Sequence, residues 1–179
     1  MSAPDALPQR APGAAAQISE AALADGGFDG FLPIEWLKGT GISMSNVAYD
    51  WATGQLAEIP IGKVWDVVRV PRTEGWEVVR QLRVMCAPIG PVLHTEDAVE
   101  FLVPVGSADD WDLPDSSVLQ VGAILHAPHP AVVAPHTRNA KSWIVAPRAE
   151  NVLTDAADLY GAYVAARARI LPRSGRAHR

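Results

Sequence analysis

The chain has 179 residues, of which 49% are hydrophobic, enough to bury the core of one domain and too many for a disordered protein. Basic residues number 15 against 20 acidic ones, a net charge of −5, which excludes a polycation that coats nucleic acid indiscriminately. The lone cysteine, Cys86, excludes an internal disulfide and a cysteine zinc cage, so a reducing compartment is expected. No apolar run approaches the ~18 residues that span a bilayer, and Met1-Ser2-Ala3-Pro4-Asp5 lacks the basic start and apolar centre of a secretory signal. A cytoplasmic protein without a membrane partner is expected. Arginine outnumbers lysine 12 to three, which together with the abundant alanine suggests a GC-rich bacterial genome.

Residues 1–16, rich in Ala and Pro, read as a flexible N-terminal arm. A short helix is predicted around Ile18 to Leu23, closed by Asp25-Gly26-Gly27. Pro33 opens a helical turn with Ile34, Trp36 and Leu37 on one side, and Gly39 stops it. Met44 to Ile61 shows no decisive period, and Trp51 with Ile59-Pro60-Ile61-Gly62 reads as an apolar connection packed on the core. Lys63 to Val70 is β-branched and aromatic, so a buried strand closed by Pro71 is predicted. Thr73 is the expected N-cap of a helix with Val78, Val79, Leu82, Met85 and Cys86 on its buried face, ended by Pro88.

Pro91 to His94 and Val99 to Pro104 flank Thr95-Glu96-Asp97-Ala98, the composition of a hairpin. The acidic loop Asp109 to Asp115 precedes a predicted strand over Leu119 to Ala127, a loop over Pro128 to Pro135 and a strand over Ser142 to Pro147. Thr154 is the expected cap of a last helix that buries Leu159, Tyr163, Ala166 and Ile170, with Asp155 and Asp158 at its positive end. The whole reads as a single α+β domain over 17–170, with a small mixed or antiparallel sheet and helices on one face. A basic tail, 171–179, follows.

Candidate chemistry is sparse. His126, His129 and His136 are imidazole ligands in type, but Pro128, Pro130 and Pro135 surround them and no cysteine lies close, which favours loop histidines. Asp109, Asp110, Asp112 and Asp115 lack the central glycine and terminal glutamate of a calcium loop, so a solvated turn around Trp111 is expected. No cofactor and no metal is expected. Cys86 reads as packing, and most of the six tryptophans read as core rather than as base-stacking platforms.

In order and spacing, residues 62–147 resemble the N-terminal domain of bifunctional DNA primase-polymerases (prim-pol). The succession is Val67-Val68-Arg69-Val70-Pro71 with Arg72-Thr73-Glu74-Gly75, then Phe101-Leu102-Val103-Pro104, then Ala127-Pro128-His129-Pro130, then Lys141-Ser142-Trp143. The resemblance implies a ferredoxin-like or RRM-like core, in which the first and third strands are neighbours. It also implies a metal-dependent nucleotidyl-transfer site, whose carboxylates and histidine do not carry over: the matching positions hold Arg69, Pro71 and Ala98. Arginine repels Mg²⁺ and proline offers no ligand. A degenerate, non-catalytic member is therefore expected, in which Arg69 and Glu100 either meet across the vacated cleft or point independently to solvent.

The expected role is binding, to an unidentified protein as an interaction or regulatory module, or alternatively to nucleic acid or nucleotide through the scaffold and the tail. A third reading is an active nucleotidyltransferase that uses Asp66 or the acidic loop as substitute ligands. Charge asymmetry marks the tail: residues 1–158 hold all 20 acids and ten of the cations, whereas Arg167, Arg169, Arg173, Arg176 and Arg179 follow with no acid. Those five arginines are the expected phosphate- or acid-docking group.

Overall fold

Residues 33–171 are described by this computed structural model. The arm 1–16, the predicted helix around Ile18 to Leu23, and Arg173, Arg176 and Arg179 lie outside the described residues. A 3-10 turn at Glu35–Leu37 is followed by α1 (Met44–Ala52), β1 (Ala57–Pro60), β2 (Trp65–Pro71), α2 (Arg72–Val84), β3 (Val92–His94) and β4 (Ala98–Pro104). Then come β5 (Ser117–Leu119), β6 (Ile124–Ala127), β7 (Ser142–Val145) and α3 (Ala156–Ile170). The fold is α+β, with a five-stranded sheet ordered β5-β2-β4-β3-β7 and a two-stranded sheet β1-β6. All pairings between named strands are antiparallel.

Central β4 is buried from Ala98 through Val103 because both faces of its sheet are covered. On one face Val68, Val70, Val92, Val99, Phe101 and Val103 pack against Val78, Val79 and Leu82 of α2 and Leu159, Ala162 and Tyr163 of α3. The two long helices thus share a face. On the other, Val67, Leu93, Leu102 and Trp143 pack against Trp36, Val47, Trp51, Ile59 and Leu125. That second layer, made of the 3-10 turn, α1 and the β1-β6 sheet, was not legible in the sequence.

Tryptophan joins the layers. Trp36 stacks on Trp65 at 6.0 Å between centroids and meets Trp143 edge-on at 5.5 Å. Each buried indole N–H has an acceptor: Trp36 donates to the Pro33 carbonyl, Trp65 to Trp36, Trp51 to Ala127 and Trp143 to Pro128, all at 2.8–3.1 Å. Burial of a ring this large is stabilising only when its one donor is satisfied.

Five expectations need correction. Thr73 does not cap α2, which begins at Arg72 after Pro71 and has no side-chain cap. Met44 to Ile61 is not a mere connection but α1 and β1, with Val47, Ala48 and Trp51 as the buried stripe of the helix. Leu119 to Ala127 is not one strand, because a turn closed by Ala123 N–H to Gln120 C=O at 3.0 Å sends β5 and β6 into different sheets. Met85 and Cys86 are exposed, since α2 ends at Val84 and Cys86 turns the chain at φ 55°. Asp155, not Thr154, caps α3 by accepting from the N–H groups of Ala157 and Asp158. Buried Thr154 instead accepts from Gly90 N–H at 3.0 Å and ties the start of α3 to the turn before β3.

Helix α2 approaches β4 through Gly75, where an added Cβ would lie 2.4 Å from Val99 Cβ. Gly75→Ala gains helix propensity but overpacks this contact, so a net loss of about 1–2 kcal/mol is expected in urea unfolding.

Candidate functional site

The resemblance directs attention to the row of residues that crosses the sheet at its centre. Register places Arg69 of β2 opposite Glu100 of β4, Glu100 opposite Leu93 of β3, and Leu93 opposite Trp143 of β7. Because side chains alternate along a strand, Arg69 shares the face of Val67 and Glu100 that of Leu102, away from α2 and α3. Arg69 and Glu100 do meet: Oε1 of Glu100 accepts from Nε at 2.9 Å and from Nη2 at 2.5 Å. The pair is asymmetric in exposure, 45% for the arginine side chain and 1% for the glutamate.

Both Arg69 bonds fall on one carboxylate oxygen. Oε2 of Glu100 is buried and has no hydrogen-bond partner. Lys141, two residues before Trp143 at the mouth of β7, senses the charges of Glu100, Arg69 and Asp97. Burial holds its ammonium below the usual lysine range, with Arg69 adding to the effect and Glu100 opposing it. Sequence reasoning did not single out Lys141, whose place relative to the Glu100 row is set by the antiparallel registers of β4, β3 and β7.

Compared with known protein families, curated proteins and solved structures, the chain matches none. The site therefore rests on its own geometry.

Asp66, the candidate substitute ligand, lies on the opposite face of β2 from Arg69, and its Oδ2 accepts from Gly106 N–H at 2.8 Å to close the turn after β4. The acidic loop is drawn into the fold in the same way. Asp109 accepts from Gln120, Asp112 from the Tyr160 hydroxyl, and Asp115 from Arg167. Among the described residues no group of three or more His, Cys, Asp or Glu side chains is placed to hold a metal.

The histidines are dispersed. His126 lies 3.9 Å from Glu58, His136 is exposed, and His129 packs edge-on against Trp51 while its Nδ1 accepts from Ala131 N–H.

Of the tail arginines, Arg167 is built into the fold. Its Nη1 donates to Pro114 C=O at 3.0 Å, Asp115 Oδ2 at 2.7 Å and the Tyr163 hydroxyl at 3.1 Å. Arg169 is 65% exposed and lies 3.8 Å from Glu77, whose carboxyl is held down to about 2, chiefly by hydrogen bonds from Arg80 and Gln81. Two cavities lie elsewhere, one of about 420 Å³ between the acidic loop and the start of α3, the other of about 200 Å³ between Pro88 and Arg148. Neither is lined by Arg69, Glu100 or Lys141.

Removing Arg69 alone strands a buried carboxylate, so Arg69→Met is expected to lower stability by about 2–3 kcal/mol, toward the low end of one-partner losses because the arginine is half exposed. The double substitution R69M/E100L should recover most of that loss in a denaturation double-mutant cycle. Burial pushes the His129 imidazole below its ordinary 6.5, so the unfolded chain binds that proton more readily than the folded one. Stability from this group is therefore present above pH 6.5 and is lost as pH falls below it, and His129→Gln should flatten that part of a melting-temperature profile.

Proposed function

We propose that this chain is a degenerate prim-pol-like module, non-catalytic, that acts by binding a protein partner as an interaction or regulatory domain. The observation that carries the reading is the Arg69–Glu100 pair. Nucleotidyl transfer by this scaffold needs divalent cations to neutralise phosphate charge. Here the row that the resemblance assigns to metal-binding carboxylates holds a guanidinium clamped on Glu100, the only buried glutamate among the described residues. A cation entering that row meets positive charge and a carboxylate oxygen already committed to Arg69.

Charge favours protein over nucleic acid. The first 158 residues carry −10 and repel a phosphate backbone. Arg167, the first arginine of the tail, is consumed by Asp115 and Pro114. The alternative, residual nucleic-acid or nucleotide binding, then depends on Arg169 together with Arg173, Arg176 and Arg179. It would show itself as affinity for single-stranded DNA that falls steeply with salt.

Purified protein supplied with primed template, all four deoxynucleotides and Mg²⁺ or Mn²⁺ is expected to show no incorporation above the no-protein background. Incorporation that disappears in Asp66→Ala would establish the nucleotidyltransferase reading in its place. In the same preparation, labelled single-stranded DNA should give no anisotropy change across a salt series. A steep salt slope lost on truncation after Ile170 would favour the nucleic-acid reading.

A further inference from the structure

The larger cavity, about 420 Å³, opens between the acidic loop and the first turns of α3, a volume in the range of pockets that enclose a ligand. Two rings, Trp111 and Tyr160, and two carboxylates, Asp110 and Asp112, line it together with Ala156 and Ala157. No cationic side chain is among its walls.

The rings are held in place by the fold. Trp111 meets Tyr160 edge-on at 5.5 Å and stacks on buried Tyr163 at 6.1 Å. Its indole N–H donates to Ser116 Oγ at 2.8 Å, and the Tyr163 hydroxyl donates to Pro114 C=O at 2.9 Å. The Tyr160 hydroxyl donates to Asp112 Oδ1 at 3.1 Å. Acceptors are left over: Oδ2 of Asp112 accepts nothing from the described residues, and Asp110 makes no hydrogen bond or ion pair with them. A cavity whose walls are set in advance costs little ordering when it is filled.

This lining selects its occupant by charge and by donors. Indole and phenol rings beside carboxylates attract a cation and repel an anion. The N–H groups of Ala157 and Asp158 at the start of α3, which elsewhere draw anions, are already taken by the Asp155 carboxylate. Among the described residues no group of three metal-ligating side chains forms, which directs attention to an organic cation. The unengaged carboxylate oxygens call for N–H donors, which a quaternary ammonium lacks. A guanidinium supplies donors in its plane and a face that packs on aromatic rings. We infer that this cavity is the docking site for an arginine side chain of a partner protein. The inference rests on the reading of the chain as a partner-binding module, and it gives that partner a chemistry: an exposed basic segment, complementary to a body of −10 over residues 1–158.

The test is a titration of the full chain with acetyl-Gly-Arg-Gly-amide, read by NMR at the Trp111 indole N–H, which Trp111→Phe assigns. A saturable shift is expected, and the citrulline peptide, equal in shape but uncharged, should bind about fivefold more weakly or worse. Asp110→Asn, at an exposed and unpartnered position that leaves the fold intact, should weaken the arginine peptide about threefold or more. No saturable shift, equal binding of the two peptides, or an unchanged affinity in Asp110→Asn each overturns the inference. A shift of the same indole on removing residues 171–179, with no peptide present, assigns the cavity to the chain's own arginine tail and overturns the partner assignment. Nucleotide incorporation would overturn the module reading without altering this titration, so the two failures are told apart.

Discussion

Strand β4 is sealed on both faces, and its only charge, Glu100, ties the register of β2 to it. A carboxylate 1% exposed is tolerated only when paired, and the pair exists only when Arg69 stands directly opposite. A slip of one residue would turn Arg69 toward the α2 and α3 face and Val68 and Val70 away from it. The ion pair is therefore worth more as a constraint on register than as a source of stability. Hydrophobic burial on both faces holds the sheet together, and Arg69–Glu100 helps specify which sheet it is.

The same constraint shapes the surroundings. Because β4 sits in the middle, with β2 and β3 as its neighbours, the Glu100 row extends across β3 to Trp143 on β7. Trp143 is held by its indole bond to Pro128 and by Trp36. Strands far apart in sequence thus enclose one half-satisfied carboxylate, with Arg69 on its bonded oxygen. On the opposite face the acidic loop lies along α3, with Asp112 at Tyr160, Pro114 at Tyr163 and Asp115 at Arg167. What composition presents as an acidic body and a basic tail is partly neutralised within the fold.

Much of the middle of the chain was readable from local pattern. The β2 strand, α2 and the β3-β4 hairpin follow from β-branched runs, 3.6-residue periodicity and turn residues, because each is stabilised by neighbours in sequence. The pairing of Arg69 with Glu100 was legible to the extent that alternation put each on a definite face. Where local pattern was weak, the partner was distant: β1 pairs with β6 with Ala57 opposite Ala127, 70 residues later, and no window of sequence contains both. Thr154 reads as a cap by residue type, but its hydroxyl is taken by Gly90 and Asp155, one position on, does the capping.

By itself the sequence determined the fold class, the central strand–helix–hairpin and the asymmetry of charge. These depend on residue type and short-range period, which a linear chain displays openly. Only the tertiary structure decided that the sheet carries a second layer, that Arg167 belongs to the acidic loop, and that Glu100 keeps one oxygen unbound. Each of these depends on contacts between segments separated by tens of residues, where burial and register, not local propensity, choose which side chains meet.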